Sequence, residues 1–209
     1  SELKQILKKN TNSYFLSGGT DLSLAVTKER KDLKSIIYIN SIEELNYIKN
    51  NKKYIEIGAT TPLIKFENYI KNYYSDFATI LRRYGSVQIR NVATMAGNIA
   101  TASPIGDTLP LLLSLNAQIV LQSISKTKII SLSDFFIDYR KTKLKSDQFI
   151  NSIRIPYFPR NIFKAYKISK RFDDDISSVC AAFNFEIKNK KIKNIKIAYG
   201  GMATIPKRA

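Results

Sequence analysis

Two adjacent glycines near the start of the chain lie in a turn whose backbone could bind an anion. Residues 17–21 read Ser-Gly-Gly-Thr-Asp, after an apolar segment at 14–16 and before an apolar helix start at Leu22. Glycine permits positive φ and lacks a Cβ, so successive backbone N–H groups can converge on a phosphate. The spacing is neither that of G-x-G-x-x-G nor that of a P-loop with its Lys. An ordinary strand-to-helix turn remains open as the alternative.

An uncharged stretch in the middle of the chain is the second candidate. Residues 91–125 contain no Lys or Arg and a single acid, Asp107, where the chain average predicts about five or six basic residues. Residues 91–104 are small and rich in hydroxyl and amide groups, unlike the Leu-rich segment 109–115, which is typical of core. Small polar residues allow close backbone approach and short hydrogen bonds, which favours a polar organic ligand. A tight contact between domains is the alternative.

A third feature is a run of charges at residues 167–177. Three basic side chains precede three acids: Lys167, Lys170, Arg171, Asp173, Asp174 and Asp175. By itself such a run is most often a solvated turn, with local ion pairs worth under about 1 kcal/mol each. It gains meaning only together with the other motifs.

Composition limits the chemistry that these candidates can perform. The 209 residues include no His and one Cys, which excludes a triad with an imidazole base, a disulfide framework, a Cys-ligated zinc site and a Cys₄ iron–sulfur cluster held by this chain alone. Redox or hydrolytic chemistry must therefore depend on a bound cofactor or on carboxylates. No metal ligand set is predicted.

The net charge of +17 raises the question of nucleic-acid binding. The basic residues are spread along the chain, and their densest cluster, at 188–196, surrounds a predicted hairpin turn. No recognition helix or stacking motif accompanies them, so a solvated Lys-rich surface is predicted and nucleic-acid binding is kept as a remote alternative. Because the chain has no run of 18 apolar residues and no signal-peptide pattern, we expect a cytoplasmic location without membrane contact. Both ends read as cuts in a longer polypeptide.

Hydrophobic periodicity indicates the elements that would position these motifs. The first half is rich in helices and the second half in strands, which predicts an α+β fold rather than repeated βαβ units. The predicted elements are an opening helix with Leu3, Ile6 and Leu7 on one face, a strand at 14–16, a buried strand at 35–39, a hairpin over 46–58 turning at 50–51, helices from Pro62 to about 84 and at 110–115, strands at 119–121, 129–131, 149–155 and 163–169, and a closing hairpin that turns at 189–190, with Phe183, Phe185 and Ile187 alternating with polar residues.

Six motifs in register resemble one family. They are Gly-Gly-Thr-Asp-Leu (18–22), Ile-Gly-Ala-Thr-Thr (57–61), Ala-Gly-Asn-Ile-Ala-Thr-Ala-Ser-Pro-Ile-Gly-Asp (96–107), Tyr-Arg-Lys-Thr (139–142), Ser-Lys-Arg-Phe-Asp-Asp-Asp-Ile-Ser (169–177) and Tyr-Gly-Gly-Met-Ala (199–203). Together they resemble the FAD-binding domain of the xanthine dehydrogenase family of molybdenum hydroxylases, in particular the bacterial small-subunit type. The resemblance implies the FAD-binding fold of the PCMH/vanillyl-alcohol-oxidase type, with two α/β subdomains at 1–58 and 59–157. Residues 158–209 would then begin a truncated C-terminal domain like that of the CO dehydrogenase flavoprotein.

The resemblance also implies which residues bind the cofactor, with no catalytic residue assigned to this chain. Leu16, Ser17, Gly18, Gly19, Thr20, Asp21 and Leu22 would wrap the pyrophosphate, and Thr94, Met95, Ala96, Gly97, Asn98, Thr101 and Asp107 would line the second side. Tyr84 would lie by the adenine-side portion or the dimethylbenzene edge, Ile150 would contact the flavin, Lys167 would lie beside the isoalloxazine, and Asp174 would belong to the loop covering its NAD-facing side. Two residues depart from the family pattern: Ala96 replaces a usual glycine, and Phe172 replaces a frequently basic residue.

The resemblance implies electron relay in the hydroxylation of a purine or related heterocycle. Electrons from a molybdenum centre on a large subunit would pass through iron–sulfur clusters, on a domain N-terminal in the same polypeptide, to FAD and then to NAD⁺. A Lys167 cation would stabilise reduced, anionic flavin by up to about 4 kcal/mol, or about 90 mV for two electrons. The alternative within flavoproteins is the FAD medium subunit of a carbon monoxide, aldehyde or nicotinate-type dehydrogenase.

Overall fold

The computed structural model describes residues 2–10 and 12–209. The helices are α1 (Glu2–Lys9), α2 (Leu22–Thr27), α3 (Leu63–Ile70), α4 (Ser75–Arg82), α5 (Val87–Val92), α6 (Met95–Thr101) and α7 (Thr108–Ser114). The strands are β1 (Tyr14–Leu16), β2 (Ile36–Tyr38), β3 (Ile48–Asn50), β4 (Tyr54–Gly58), β5 (Gln118–Ser123), β6 (Thr127–Ser131), β7 (Phe136–Asp138), β8 (Lys141–Thr142), β9 (Gln148–Pro156), β10 (Ile162–Ser169), β11 (Ser177–Lys188), β12 (Lys191–Gly200) and β13 (Lys207–Arg208). The predicted α+β class is confirmed.

The N-terminal part is a small parallel sheet of β1 and β2 with α1 packed against it. The predicted opening helix is present, with Leu3 and Leu7 buried against Ile37, but Ile6 of the predicted apolar face is exposed. The prediction of a buried strand at 35–39 was only half right, because Ile36 and Tyr38 are exposed. Strand side chains alternate between faces, and only one face of this two-stranded sheet is covered.

The middle part is a five-stranded sheet in the order β3-β4-β9-β5-β6, in which all neighbours pair antiparallel. The predicted hairpin over 46–58 is present as β3 and β4, and Pro62 precedes α3 as expected. Helices α3, α4, α6 and α7 also contribute to the main core, which includes Phe66, Phe77 and Leu109. Strands β3 and β4, which fall inside the predicted 1–58 subdomain, belong to this sheet.

The C-terminal part is a four-stranded sheet in the order β10-β11-β12-β13. Its long hairpin turns at Asn189 and Lys190 as predicted, both with positive φ as the tight hairpin turn requires. The aromatic residues of the predicted alternation lie on the open face, where the Phe183 ring meets Tyr199 edge to face. The covered face carries small residues such as Ala182, because α7 packs against it.

Two elements hold this C-terminal sheet to the middle part. The N–H of Ala165 on β10 donates to Asp76 of α4 (3.2 Å), and Asn184 Nδ2 on β11 donates to the Ser114 carbonyl at the end of α7 (3.1 Å). Lys167 follows Ala165 by two residues, so its side chain lies on the same covered face of the sheet. The attachment of β10 to α4 therefore fixes the position of the Lys167 side chain in the interior. Among the residues described, no helix is long and apolar enough to cross a membrane.

Candidate functional site

The glycine turn connects β1 to α2 and lies against the end of α5. Gly19 has a φ of +70°, which favours glycine. A Cβ on Gly18 would lie 1.9 Å from the Val92 carbonyl oxygen, so only glycine fits this backbone contact. Within the described residues, the N–H groups of Gly18, Gly19, Thr20 and Asp21 donate no hydrogen bond to another protein atom. The turn therefore offers a row of free donors, as a phosphate-binding turn requires.

The opposite wall is formed by α5, α6 and their connection. Ser86 caps α5 by accepting from the Ile89 N–H (3.3 Å), and Thr94 caps α6 by accepting from the Gly97 N–H (3.0 Å). The uncharged stretch was predicted as a ligand wall, but both helices were missed. Helix α5 has only six residues and no helical apolar period, and α6 consists mainly of small residues. The two capping residues were the signal that could have located them.

The two walls face each other across one cavity of about 660 Å³. Every predicted cofactor-binding residue lines it except one. The lining residues among the predictions are Leu16, Ser17, Gly18, Gly19, Thr20, Asp21, Leu22, Tyr84, Thr94, Ala96, Gly97, Asn98, Thr101, Asp107, Ile150, Lys167 and Asp174. Met95 is the exception, because its side chain is buried in the core behind α6. One crevice thus joins segments that are far apart in the chain.

Apolar residues that were not predicted to bind a cofactor also line the cavity. They are Phe15, Ile39, Ile89, Ile105, Leu144, Phe149 and Ile176. Aliphatic and aromatic residues of this kind are equally typical of core, so the sequence offers no signal that separates the two. They make the cavity mostly apolar with a few convergent polar groups, which is the usual character of a cofactor site.

Lys167 and Asp107 form a buried ion pair in the cavity wall. The Lys167 Nζ lies 2.7 Å from Asp107 Oδ2 and also donates to the Arg83 carbonyl (3.1 Å). The second carboxylate oxygen of Asp107 accepts a hydrogen bond from the Ser177 hydroxyl. Both carboxylate oxygens are therefore engaged by the protein, and the charge of Lys167 is partly offset by Asp107.

Tyr84 lies beside this pair at the end of the turn after α4. Burial, with the nearby carboxylates of Asp107 and Asp21, raises the pKa of Tyr84 to about 12. Its hydroxyl accepts a hydrogen bond from Asn98 Nδ2 (3.1 Å), whose amide oxygen accepts from the Thr108 hydroxyl. Tyr84 therefore stays neutral at physiological pH and keeps a hydrogen to donate.

Arg83 anchors the loop between β10 and β11, which contributes Asp174, Asp175 and Ile176 to the cavity. Its guanidinium donates to the Lys167 carbonyl (3.0 Å) and twice to the Phe172 carbonyl (3.0 and 2.9 Å), and it lies 4.3 Å from the centre of the Phe172 ring. Phe172, one of the two departures from the family pattern, thus stacks on an arginine.

Arg83→Met is expected to release this loop. Hydrogen bonds from a charged donor are worth about 2 kcal/mol, so amide hydrogen exchange over residues 169–176 is expected to rise by at least about 30-fold. Hydrogen exchange followed by mass spectrometry measures this directly. Arg82→Met is the matched control, because Arg82 is 80% exposed and lies 3.8 Å from its partner Glu67. Equal exchange of the loop in the two variants would contradict the anchoring role.

This crevice, with a glycine turn on one wall and capped helices on the other, defines a nucleotide-cofactor-binding domain. The sequence model of the FAD binding domain in molybdopterin dehydrogenase matches residues 1–158, and that of the CO dehydrogenase flavoprotein C-terminal domain matches residues 164–209. The chain therefore belongs to the FAD-binding domain family of the molybdenum hydroxylases. Within the described residues, no group of three or more His, Cys, Asp or Glu is placed to hold a metal ion.

Similar proteins of known activity are oxidoreductases. The chain is 34% identical over 218 residues to xanthine dehydrogenase of Emericella nidulans, covering 98% of this chain and 16% of that protein. It is 30% identical over 210 residues to the glyceraldehyde dehydrogenase medium chain of Sulfolobus acidocaldarius, covering 100% and 74%. It thus spans about a sixth of the xanthine dehydrogenases it matches.

Solved structures share the fold. The carbon monoxide dehydrogenase of Hydrogenophaga pseudoflava superposes with a TM-score of 0.93 at 22% identity, covering 99% of this chain and 73% of that chain. Quinoline 2-oxidoreductase from Pseudomonas putida 86 superposes with a TM-score of 0.91 at 18% identity, covering 99% and 73%. The predicted fold family is confirmed.

Proposed function

We propose that this chain is the FAD-carrying domain of a xanthine dehydrogenase-like enzyme that transfers electrons to NAD⁺. The observation that carries the proposal is the single crevice that brings together the glycine turn and the uncharged segment, which the sequence separates by about 70 residues. The identity to xanthine dehydrogenases over nearly the whole chain supports a purine or related heterocycle as the substrate of the whole enzyme. Iron–sulfur clusters and a molybdenum centre would be held by other domains or subunits.

The residues present fit FAD. Backbone N–H groups of the glycine turn have no protein partner within the described residues, and the cradle at Gly18 has no room for a Cβ. These donors would hold the pyrophosphate, while Thr94, Asn98 and Thr101 on the opposite wall would bind the ribityl and ribose hydroxyls. When bound, FAD supplies the two-electron chemistry that accepts electrons from iron–sulfur clusters and passes them to NAD⁺.

Positioning and electrostatics are the protein's contribution to this reaction. Lys167 supplies a positive charge to the wall, and Asp107, which also lines the cavity, holds its ammonium group in place. The loop carrying Asp174 covers one side of the cavity and is held by Arg83. The apolar part of the lining would exclude water from a bound flavin, which would strengthen the electrostatic effect of Lys167.

A separate FAD subunit is the second candidate. The chain covers 74% of the glyceraldehyde dehydrogenase medium chain, whereas it covers only about a sixth of the xanthine dehydrogenases. Cysteine motifs for iron–sulfur clusters directly upstream in the same reading frame would favour the fused xanthine-type enzyme. Their absence from a complete reading frame would favour the medium subunit. We also propose the subdomains 1–58, 59–157 and 158–209, with β3 and β4 of the first pairing into the sheet of the second.

The function is tested by adding FAD to the purified protein and titrating it anaerobically with NADH. We expect tight FAD binding, a visible flavin spectrum and its bleaching by NADH, with NADPH as the comparison. Protein that stays colourless after FAD addition would contradict the cofactor assignment. Protein that binds FAD and is reduced by dithionite but not by NADH would contradict NAD⁺ as the acceptor and leave FAD binding intact.

A further inference from the structure

Arg140 reaches the glycine turn from a distant hairpin. It lies between β7 and β8, and its guanidinium contacts the carboxylate of Asp21 with Nη2 to Oδ1 at 3.1 Å and Nη1 to Oδ2 at 3.5 Å. Arg140 has a φ of +52°, a conformation uncommon for a residue with a Cβ. It belongs to the Tyr-Arg-Lys-Thr motif at 139–142, to which the function described above gives no role.

The Asp21 carboxylate does not cap helix α2, although Asp21 stands at the N-cap position. Asp21 is the residue that precedes α2, where an aspartate usually caps the helix by accepting a backbone N–H. Here it makes no side-chain cap hydrogen bond. Its described partner is Arg140 instead, so the pair links the turn to the hairpin rather than stabilising the helix.

Acidic side chains outnumber basic ones in the cavity wall, so the pairing of Asp21 with Arg140 affects the charge that a ligand meets. The lining includes four carboxylates, Asp21, Asp107, Asp174 and Asp175, and one cation, Lys167. Lys167 neutralises Asp107 at 2.7 Å, and Arg171 lies 3.4 Å from Asp175. Asp21 is the acid on the turn with the free N–H groups, where a diphosphate with its negative charges would lie. An unpaired carboxylate there would repel the ligand.

We propose that Arg140 is a positioning residue for cofactor binding, which neutralises Asp21 so that the glycine turn can accept a diphosphate. The proposal rests on FAD binding and deepens it by assigning a role to a residue outside the cavity lining. Arg140 does this from 119 positions further along the chain. The hairpin of β7 and β8 thus becomes part of the cofactor site through a single ion pair.

The test compares FAD dissociation constants of wild type, Arg140→Gln, Asp21→Asn and the double variant in the full-length protein, by flavin fluorescence. Arg140→Gln is expected to weaken FAD binding by about tenfold at low salt, and the double variant to return within about threefold of wild type. Lys141→Gln is the matched control, because Lys141 is exposed on the same hairpin and its substitution removes one positive charge, as Arg140→Gln does. We expect it to bind FAD like wild type.

Salt dependence separates neutralisation from a merely structural role. Repulsion by an unpaired Asp21 is screened by salt, so the ratio of the Arg140→Gln and wild-type constants is expected to fall towards one as ionic strength rises. A ratio independent of salt, or a double variant as weak as Arg140→Gln, would overturn the proposal. The proposal would also be overturned if Arg140→Gln and the Lys141→Gln control bound FAD with the same dissociation constant. If wild type itself binds no FAD, the proposed function fails rather than this inference.

Discussion

Gly18→Ala is expected to abolish high-affinity FAD binding. The added Cβ would lie 1.9 Å from the Val92 carbonyl oxygen and 3.0 Å from the Ala93 nitrogen, both of them backbone atoms that cannot rotate away. The two walls of the cavity must therefore move apart. Overpacking of this kind costs about 3 kcal/mol, so the FAD dissociation constant is expected to rise by about 100-fold. FAD content after purification and a fluorescence titration measure it.

Gly200→Ala is the matched control for this substitution. Gly200 does not line the cavity, and its added Cβ would meet its nearest neighbours at 3.4 Å, an ordinary contact distance. This variant is expected to keep wild-type FAD content. Circular dichroism of both variants separates loss of the site from loss of the fold. A folded Gly18→Ala protein with wild-type FAD affinity would show that the walls need not touch for the cofactor to bind.

Lys167→Met is expected to lower the free energy of unfolding strongly and to lower the flavin reduction potential only slightly. Removing the cation leaves Asp107 buried and unpaired, with 4% of its surface exposed, which costs about 3–5 kcal/mol of the free energy of unfolding. The double variant Lys167→Met/Asp107→Asn is expected to lose less, because no buried charge remains without a partner. Denaturant unfolding of the FAD-free proteins measures both.

The control for this pair is Lys164→Met on the same strand. Lys164 faces outward, its side chain is half exposed, and its ion pair with Asp76 at 3.4 Å is worth less than about 1 kcal/mol. Equal losses for Lys164→Met and Lys167→Met would contradict a special role for the buried pair. The flavin potential is expected to fall in Lys167→Met by less than the ~90 mV of an unpaired cation, because Asp107 offsets part of its charge.

The site could be predicted in outline because its chemistry is local. Paired glycines after a strand indicate free backbone donors, and the charge-free stretch indicates a wall that approaches a ligand. The helices of that side of the cavity were missed because α5 is only six residues long and α6 consists mainly of small residues, so neither shows an apolar period. Met95 was placed in the site by its neighbours in the motif, but a helix turns successive side chains to different faces, and Met95 faces the core.

The individual crevice residues, such as Tyr84, Ile150, Lys167 and Asp174, were implied by the resemblance of the motifs to one family. Local spacing by itself determined the class of fold, most helices and strands, the hairpin turns and the two segments that form the walls of the crevice. Those features depend on periodicity, turn chemistry and motifs that lie within a few residues of one another. Tertiary structure alone decided the partners of the charges: Asp107 for Lys167, Arg140 for Asp21 and the Phe172 backbone for Arg83. These pairs join residues 60, 119 and 89 positions apart. The order of residues does not specify which distant charges meet, because packing of the sheets and helices brings them together.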